Sequence, residues 1–285
     1  MPIVGANGIE IWYDEVGDPA DPALLLIGGL GAHATGYAPD FCSALADRGV
    51  RVIRFDNRDM GFSTHDTDWS YTLSDMAADA VGLLDALDIQ SAHLWGSSMG
   101  GMIAQTVAIE HRDRVQTLIS VMSTTGEPDV GVPDPEILGE LIANAAPAAD
   151  VEESFEQGMR TARLIGSPGA LFDEAEHRRR QSEQAERNFD PFGTGRQLMA
   201  VITSGSRAAQ MADLDVPTLV IHGDSDPLVS MSGGQRTAEL IPGAQLEIIE
   251  GMGHDLPPGE WARLVSLTIS HIATHHQDTP SRPQE

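Results

Sequence analysis

Six short apolar runs recur along the chain: ALLLIGG (23–29), VRVIRFD (50–56), SAHLWG (91–96), VQTLISVM (115–122), TLVIHG (218–223) and LEIIEG (246–251). Each has the length of a strand. The first is continuously apolar and reads as a strand buried on both faces, as in a parallel sheet. Between the runs lie stretches with apolar residues at helical spacing, among them FCSALADRG, LSDMAADAVGLLDALD (73–88) and MGGMIAQTVAIEH (99–111). Further helices are predicted near 233–241 and over 258–274. Strands alternating with helices predict an α/β fold around a mostly parallel central sheet flanked by helices. Asn7-Gly8, between PIV and IEIWYDEVG, adds a hairpin at the start. Ser74 is the expected N-cap of the helix over 73–88.

From about residue 126 to 207 the alternation stops. Helical stretches such as PEILGELIANA, VEESFEQGMRTARLI and DEAEHRRRQSEQAER are joined there by Pro and Gly, with no buried strand. We therefore expect a core built from 1–125 and 208–274, an inserted helical cap (lid) over 126–207, and a disordered tail at 275–285. A chain of 285 residues suits one domain carrying such an insertion. Arg178-Arg179-Arg180, inside the insertion, reads as a solvated helix face.

The chain holds 43 acidic residues against 17 Lys and Arg, a formal net charge of −26. Such a surface repels phosphate backbones and anionic lipids, so neither nucleic acid nor the membrane is an expected partner. The one cysteine, Cys42, cannot form an intrachain disulfide and reads as a small hydrophobe on a helix. Met1-Pro2-Ile3-Val4 has no basic n-region, and no run reaches the length of a membrane helix. A cytoplasmic protein is the expectation.

The segment HLWGSSMGGM (93–102) carries the chemistry. Gly96-Ser97-Ser98-Met99-Gly100 fits G-x-S-x-G, after one strand and before one helix. A sharp turn there holds a strained serine above the sheet edge. Ser98 is the candidate nucleophile, and Ser97 points elsewhere. A serine needs a base, and the base an orienting acid, expected in the order Ser, acid, His. His254, on a Gly-flanked loop in EGMGHDLPP, is the candidate base. His222 reads as a packed strand residue, and His271, His275 and His276 as exposed. Asp226, set before Pro227 in VIHGDSDPLV, is preferred over Asp224 as the acid; Asp255 reads as facing solvent. An oxyanion needs two amide donors. Met99 N–H is one candidate and Leu30 N–H, in the tight loop of Gly28, Gly29 and Gly31, the other. A rival reading exists. Gly29-Leu30-Gly31-Ala32-His33-Ala34 fits G-x-G-x-x-G/A, with Asp56 placed as a ribose-binding acid, which would suit a dinucleotide-binding oxidoreductase. That reading leaves Ser98, Asp226 and His254 without a role.

Taken together, these segments resemble the α/β-hydrolase superfamily over nearly the whole chain. LLLIGGLG is similar to its oxyanion loop. RFDNRDMGFST is similar to its D-x-R-x-x-G-x-S turn, with Asp56, Arg58, Gly61 and Ser63 in register. GSSMGG, IHGDSDPLV and GMGHDLP are similar to its three catalytic segments. Gly28-Gly29 departs from the His-Gly found in many members. More narrowly, EVGDPADPALLLIGG, VIRFDNRDMGFST and GMGHDLP resemble the aclacinomycin methylesterase group, which removes a methyl ester from an anthracycline.

The resemblance implies a serine esterase acting on a carboxylic ester, a methyl ester or a polyketide or macrocyclic ester among the candidates, through an acyl-enzyme and without cofactor or metal. Lactonase, C–C-bond hydrolase and cofactor-free perhydrolase chemistry use the same residues. The expected partner is a small-molecule ester; a homodimer is left open. His33, Met159 and Leu171 are candidate substrate contacts, with Leu164 and Phe172 beside them. For the lid residues the alternative is packing of helices onto the sheet.

Overall fold

The computed structural model describes residues 2–143 and 146–275. Its strands are β1 (Ile3–Ala6), β2 (Ile9–Val16), β3 (Ala23–Ile27), β4 (Arg51–Phe55), β5 (Ala92–Ser97), β6 (Val115–Val121), β7 (Thr218–Gly223) and β8 (Gln245–Ile249). They form one sheet in the order β1-β2-β4-β3-β5-β6-β7-β8. The β1–β2 and β2–β4 pairs are antiparallel; from β4 onward every neighbour is parallel. The hairpin turns at Asn7 (φ 48°) and Gly8 (φ 80°), the pair of left-handed residues that a two-residue turn requires.

The helices are α1 (Pro39–Ala46), α2 (Leu73–Ala86), α3 (Met99–Glu110), α4 (Pro135–Ala143), α5 (Val151–Ile165), α6 (Glu174–Ala185), α7 (Gly193–Ser204), α8 (Ala208–Met211), α9 (Ser232–Leu240) and α10 (Trp261–His275). They explain why the central strands are apolar throughout. Leu25 and Ile27 of β3 point into the core shared with α2 and α3, while Leu24 and Leu26 point into the one shared with α1 and α10. Burying each such leucine contributes roughly 2 kcal/mol. In β5, Leu94 and Trp95 divide between the two cores in the same way.

Between β6 and β7 the chain forms α4 to α8 and, among the described residues, no strand. The helix α7 was not anticipated: its opening Gly193-Thr194-Gly195 carries little helical signal. Other expectations need correcting. Thr72, not Ser74, caps α2, in a capping box with Asp75; Ser74 instead bonds Glu110. His271 is buried against Pro217 O, because α10 lays that face on the sheet. Asp255 is buried rather than solvated. In the arginine triplet, Arg178 and Arg179 do pair along the helix face with Glu174, Glu176 and Glu183, but Arg180 turns inward to His177. His275 belongs to α10 rather than opening a tail; residues 276–285, with His276, lie outside the described residues. No helix among the described residues is long and apolar enough to cross a membrane.

Candidate active site

The sheet register sets where the site stands. Ile27 of β3 pairs with Gly96 of β5, so the loops after these two strands leave the sheet side by side. Ser98 follows β5 at φ 55°, ψ −121°, a strained conformation for a residue with a side chain. The surroundings enforce it. Ser98 N–H donates to Val121 O (2.9 Å), and Ser98 O accepts from Gly101 N–H (2.9 Å) and from the Ser123 hydroxyl (2.8 Å). The flanking glycines are sterically obligatory: a Cβ on Gly96 would overlap the carbonyl of Gly100, and one on Gly100 the carbonyl of Ile27. Ser97 turns away and meets the Tyr37 hydroxyl at 3.0 Å; Tyr37 in turn donates to Ile27 O (2.6 Å).

Ser98, His254 and Asp226 come together. Ser98 Oγ lies 2.8 Å from His254 Nε2, and His254 Nδ1 lies 2.7 Å from Asp226 Oδ2. A carboxylate can only accept, so Nδ1 carries the imidazole proton and Nε2 is left to accept from the serine. Asp226 Oδ1 accepts from Leu228 N–H and Val229 N–H, both at 2.9 Å. Burial works against ionising Asp226. The charge of His254 and the hydrogen bonds from His254 and Val229 outweigh it and hold the carboxyl well below the usual range. His222, fully buried in β7, donates from Nε2 to Val229 O (2.8 Å) and stands 3.6 Å from Asp226. Asp224 points away, accepting from Gly251 N–H (2.7 Å).

The two candidate oxyanion donors flank Ser98. Met99 opens α3, whose first amides lack helical partners. Gly29 of the β3 loop packs so closely that a Cβ there would sit 3.8 Å from Ser98 Oγ, and Leu30 follows it. Neither Met99 N–H nor Leu30 N–H has a hydrogen-bond partner among the described residues. This loop is tied down by side chains. Asn57 Nδ2 donates to Gly28 O (3.1 Å), and Gly31 N–H donates to Gln197 Oε1 of α7 (2.9 Å). Gln197 had no recognisable sequence signal, since it lies on the helix the pattern missed.

Asp56 does not act as a ribose-binding acid. It is fully buried, accepts from Ala34 N–H (2.8 Å) and Phe62 N–H (3.0 Å), and pairs with Arg187, whose guanidinium lies over the rings of Trp12 and Phe62. The segment after Gly31 forms a single 3-10 turn (Ala34–Gly36), not the phosphate-binding helix of a dinucleotide site. His33 is buried here. Burial, aided by the charges of Arg187 and His65 and opposed by that of Asp56, pushes its pKa down to about 4. Of the other candidate substrate contacts, Met159 is fully buried in α5, Leu171 packs over Gly251 and Gly259, and Phe172 stacks on His177. Burial likewise pushes the Cys42 thiol up to about 11. Asp59, His65 and Asp190 bring ligand-type atoms within 4.8 Å of one another, but Arg196 already pairs with both carboxylates.

Comparison with known proteins agrees with this architecture. The family model of the alpha/beta hydrolase fold matches residues 22–258. The chain is 32% identical to the rhodomycin D methylesterase DauP of Streptomyces sp. (strain C5), over 94% of this chain and 97% of that protein. It is 31% identical to the rhodomycin D methylesterase DnrP of Streptomyces peucetius, over 92% and 95%. Among solved structures it superposes on the meta-cleavage product hydrolase CumD of Pseudomonas fluorescens IP01 with a TM-score of 0.80, at 24% identity, covering 96% of this chain and 98% of that one. With residues 22–258 matched by the family model and most of its length by these relatives, the chain belongs to the α/β-hydrolase fold family.

Proposed function

We propose that this carboxylic-ester hydrolase works through an acyl-enzyme on Ser98, with a methyl ester as the substrate class its relatives suggest. The observation that carries the mechanism is the hydrogen-bonded chain Ser98–His254–Asp226, at 2.8 and 2.7 Å, anchored on a strained turn. Ser98 Oγ attacks the ester carbonyl carbon while His254 Nε2 takes its proton. Asp226 stabilises the imidazolium and keeps its proton on Nδ1. The amides of Met99 and Leu30 receive the developing oxyanion. The C–O bond to the alcohol then breaks, and His254 returns the proton to the leaving oxygen. Water repeats the sequence on the acyl-enzyme and releases the acid. The helical insertion, 126–207, acts as the cap over this site, and His33, Met159 and Leu171 belong to its substrate surroundings.

The test is to mix the enzyme with an activated ester, quench in acid within one turnover, and measure intact mass. The account expects a mass increase equal to the acyl group, located on the peptide containing Ser98. Turnover without a covalent adduct, or an adduct on another residue, would defeat it.

A further inference from the structure

The loop that presents His254 is gripped from two sides. On the core side, Ser225 N–H donates to Met252 O (3.1 Å). On the other side, every residue from Gly253 to Asp255 bonds to the last residue of α5 or to the turn that follows it. His254 N–H donates to Ile165 O (2.8 Å). Gly253 N–H donates to Ser167 Oγ (2.9 Å). Asp255 Oδ1 accepts from both the Ser167 N–H (2.9 Å) and the Ser167 hydroxyl (2.5 Å). A Cβ on Gly253 would overlap the backbone of Gly166 and Ser167.

The contact continues into α6. Asp255 Oδ2 meets His177 Nε2 at 3.1 Å, and His177 Nδ1 meets Arg180 Nη2 at 2.6 Å. Arginine can only donate, so His177 accepts at Nδ1, carries its proton on Nε2 and donates that to Asp255. Ser167, His177 and Asp255 are 1%, 4% and 6% exposed. Hydrogen bonds so far from water are strong when complete and costly when broken. The Ser167 hydroxyl stands at the centre: it donates to the carboxylate and accepts from the backbone beside the histidine.

We infer that Ser167 and Asp255 are positioning residues for His254, so that the helical insertion holds the catalytic base as well as covering the site. This rests on the esterase reading above. The imidazole must meet Ser98 and Asp226 at once, and its loop contains Gly251 and Gly253, whose backbones are permissive. A displacement of about 1 Å at such a base costs on the order of a hundredfold in rate. The network acts on the backbone of residues 253–255, not on the reacting atoms.

The test compares wild type, Ser167→Ala and Ser167→Thr on a short-chain ester, with the rate of fluorophosphonate labelling and the thermal midpoint measured alongside. In Ser167→Ala, kcat and the labelling rate should fall together, tenfold to a hundredfold, with KM nearly unchanged and the protein fully folded at the assay temperature. Ser167→Thr, which keeps the hydroxyl, should recover most of the loss. An unchanged kcat, a rise in KM alone, or a loss no larger than the unfolded fraction would overturn the inference. If Ser167→Ala yields no folded protein, Ser167→Cys serves, since it weakens both hydroxyl bonds at similar volume; an unchanged kcat there is equally fatal. A wild type that neither hydrolyses esters nor takes the label defeats the esterase reading itself. A wild type that does both, matched by Ser167→Ala, defeats only this inference.

Discussion

In the proposed mechanism Ser98 gains reactivity only if its proton has somewhere to go, and the 2.8 Å contact to His254 is where it would go. Ser98→Ala should therefore lower kcat by about 10⁴-fold or more while ligand binding survives, read by single-turnover kinetics and a product-binding titration. Asp226→Asn should cost far more in kcat than Asp224→Asn, because only Asp226 faces the imidazole; the reverse ranking would exchange their roles. His33 makes a separate prediction. Its folded pKa, about 4, lies below that of an unfolded histidine, about 6.5. The unfolded chain thus binds a proton over that window and the folded one does not. Stability is present above about pH 6.5 and is lost as pH falls toward 4. Asp226 and Asp255, with depressed folded pKa values, add a further loss at still lower pH. Thermal midpoints measured against pH should show the first phase shrink in His33→Gln. An unaltered profile would remove His33 as its cause.

At the scale of elements, the insertion is attached to the core by charge as much as by apolar contact. Arg187, in the segment after α6, pairs with the fully buried carboxylate of Asp56 and lies over two aromatic rings. Arg187→Met would keep the packing but strand that carboxylate, at a cost of about 3–5 kcal/mol in urea unfolding. A change below about 1 kcal/mol would mean that the amides of Ala34 and Phe62 suffice. The same scale separates what the sequence discloses from what it hides. Ser98, His254 and Asp226 are readable because each sits shortly after a strand, and strand ends are marked by apolar runs closing in glycine. Ser167, His177, Asp255 and Gln197 are not. Their partners lie 78 to 88 residues away for Asp255 and 139 or more for Gln197, with no spacing that links them. Asp255 looked solvated because a charged residue in a loop usually is; tertiary contact with the insertion reverses that. Thr72 and Ser74 both suit a helix start, and only the reciprocal bond with Asp75 decides between them.

Across the whole molecule, a net charge of −26 sets the colloidal behaviour. Self-repulsion of that size opposes compaction, and salt relieves it. Raising ionic strength from about 0.01 M to about 1 M shortens the screening length from about 30 Å to about 3 Å. The thermal midpoint should rise over that range; a fall would mean that surface ion pairs such as Arg163–Glu174 contribute more than the repulsion costs. The sheet order and register place Ser98 at the end of a central strand, beside the loop after β3 and at the start of α3. The most direct test of that placement is intact-mass spectrometry after fluorophosphonate treatment of wild type and Ser98→Ala. The account predicts one adduct on the wild type and none on the variant. An adduct on both proteins, or on neither, would contradict it.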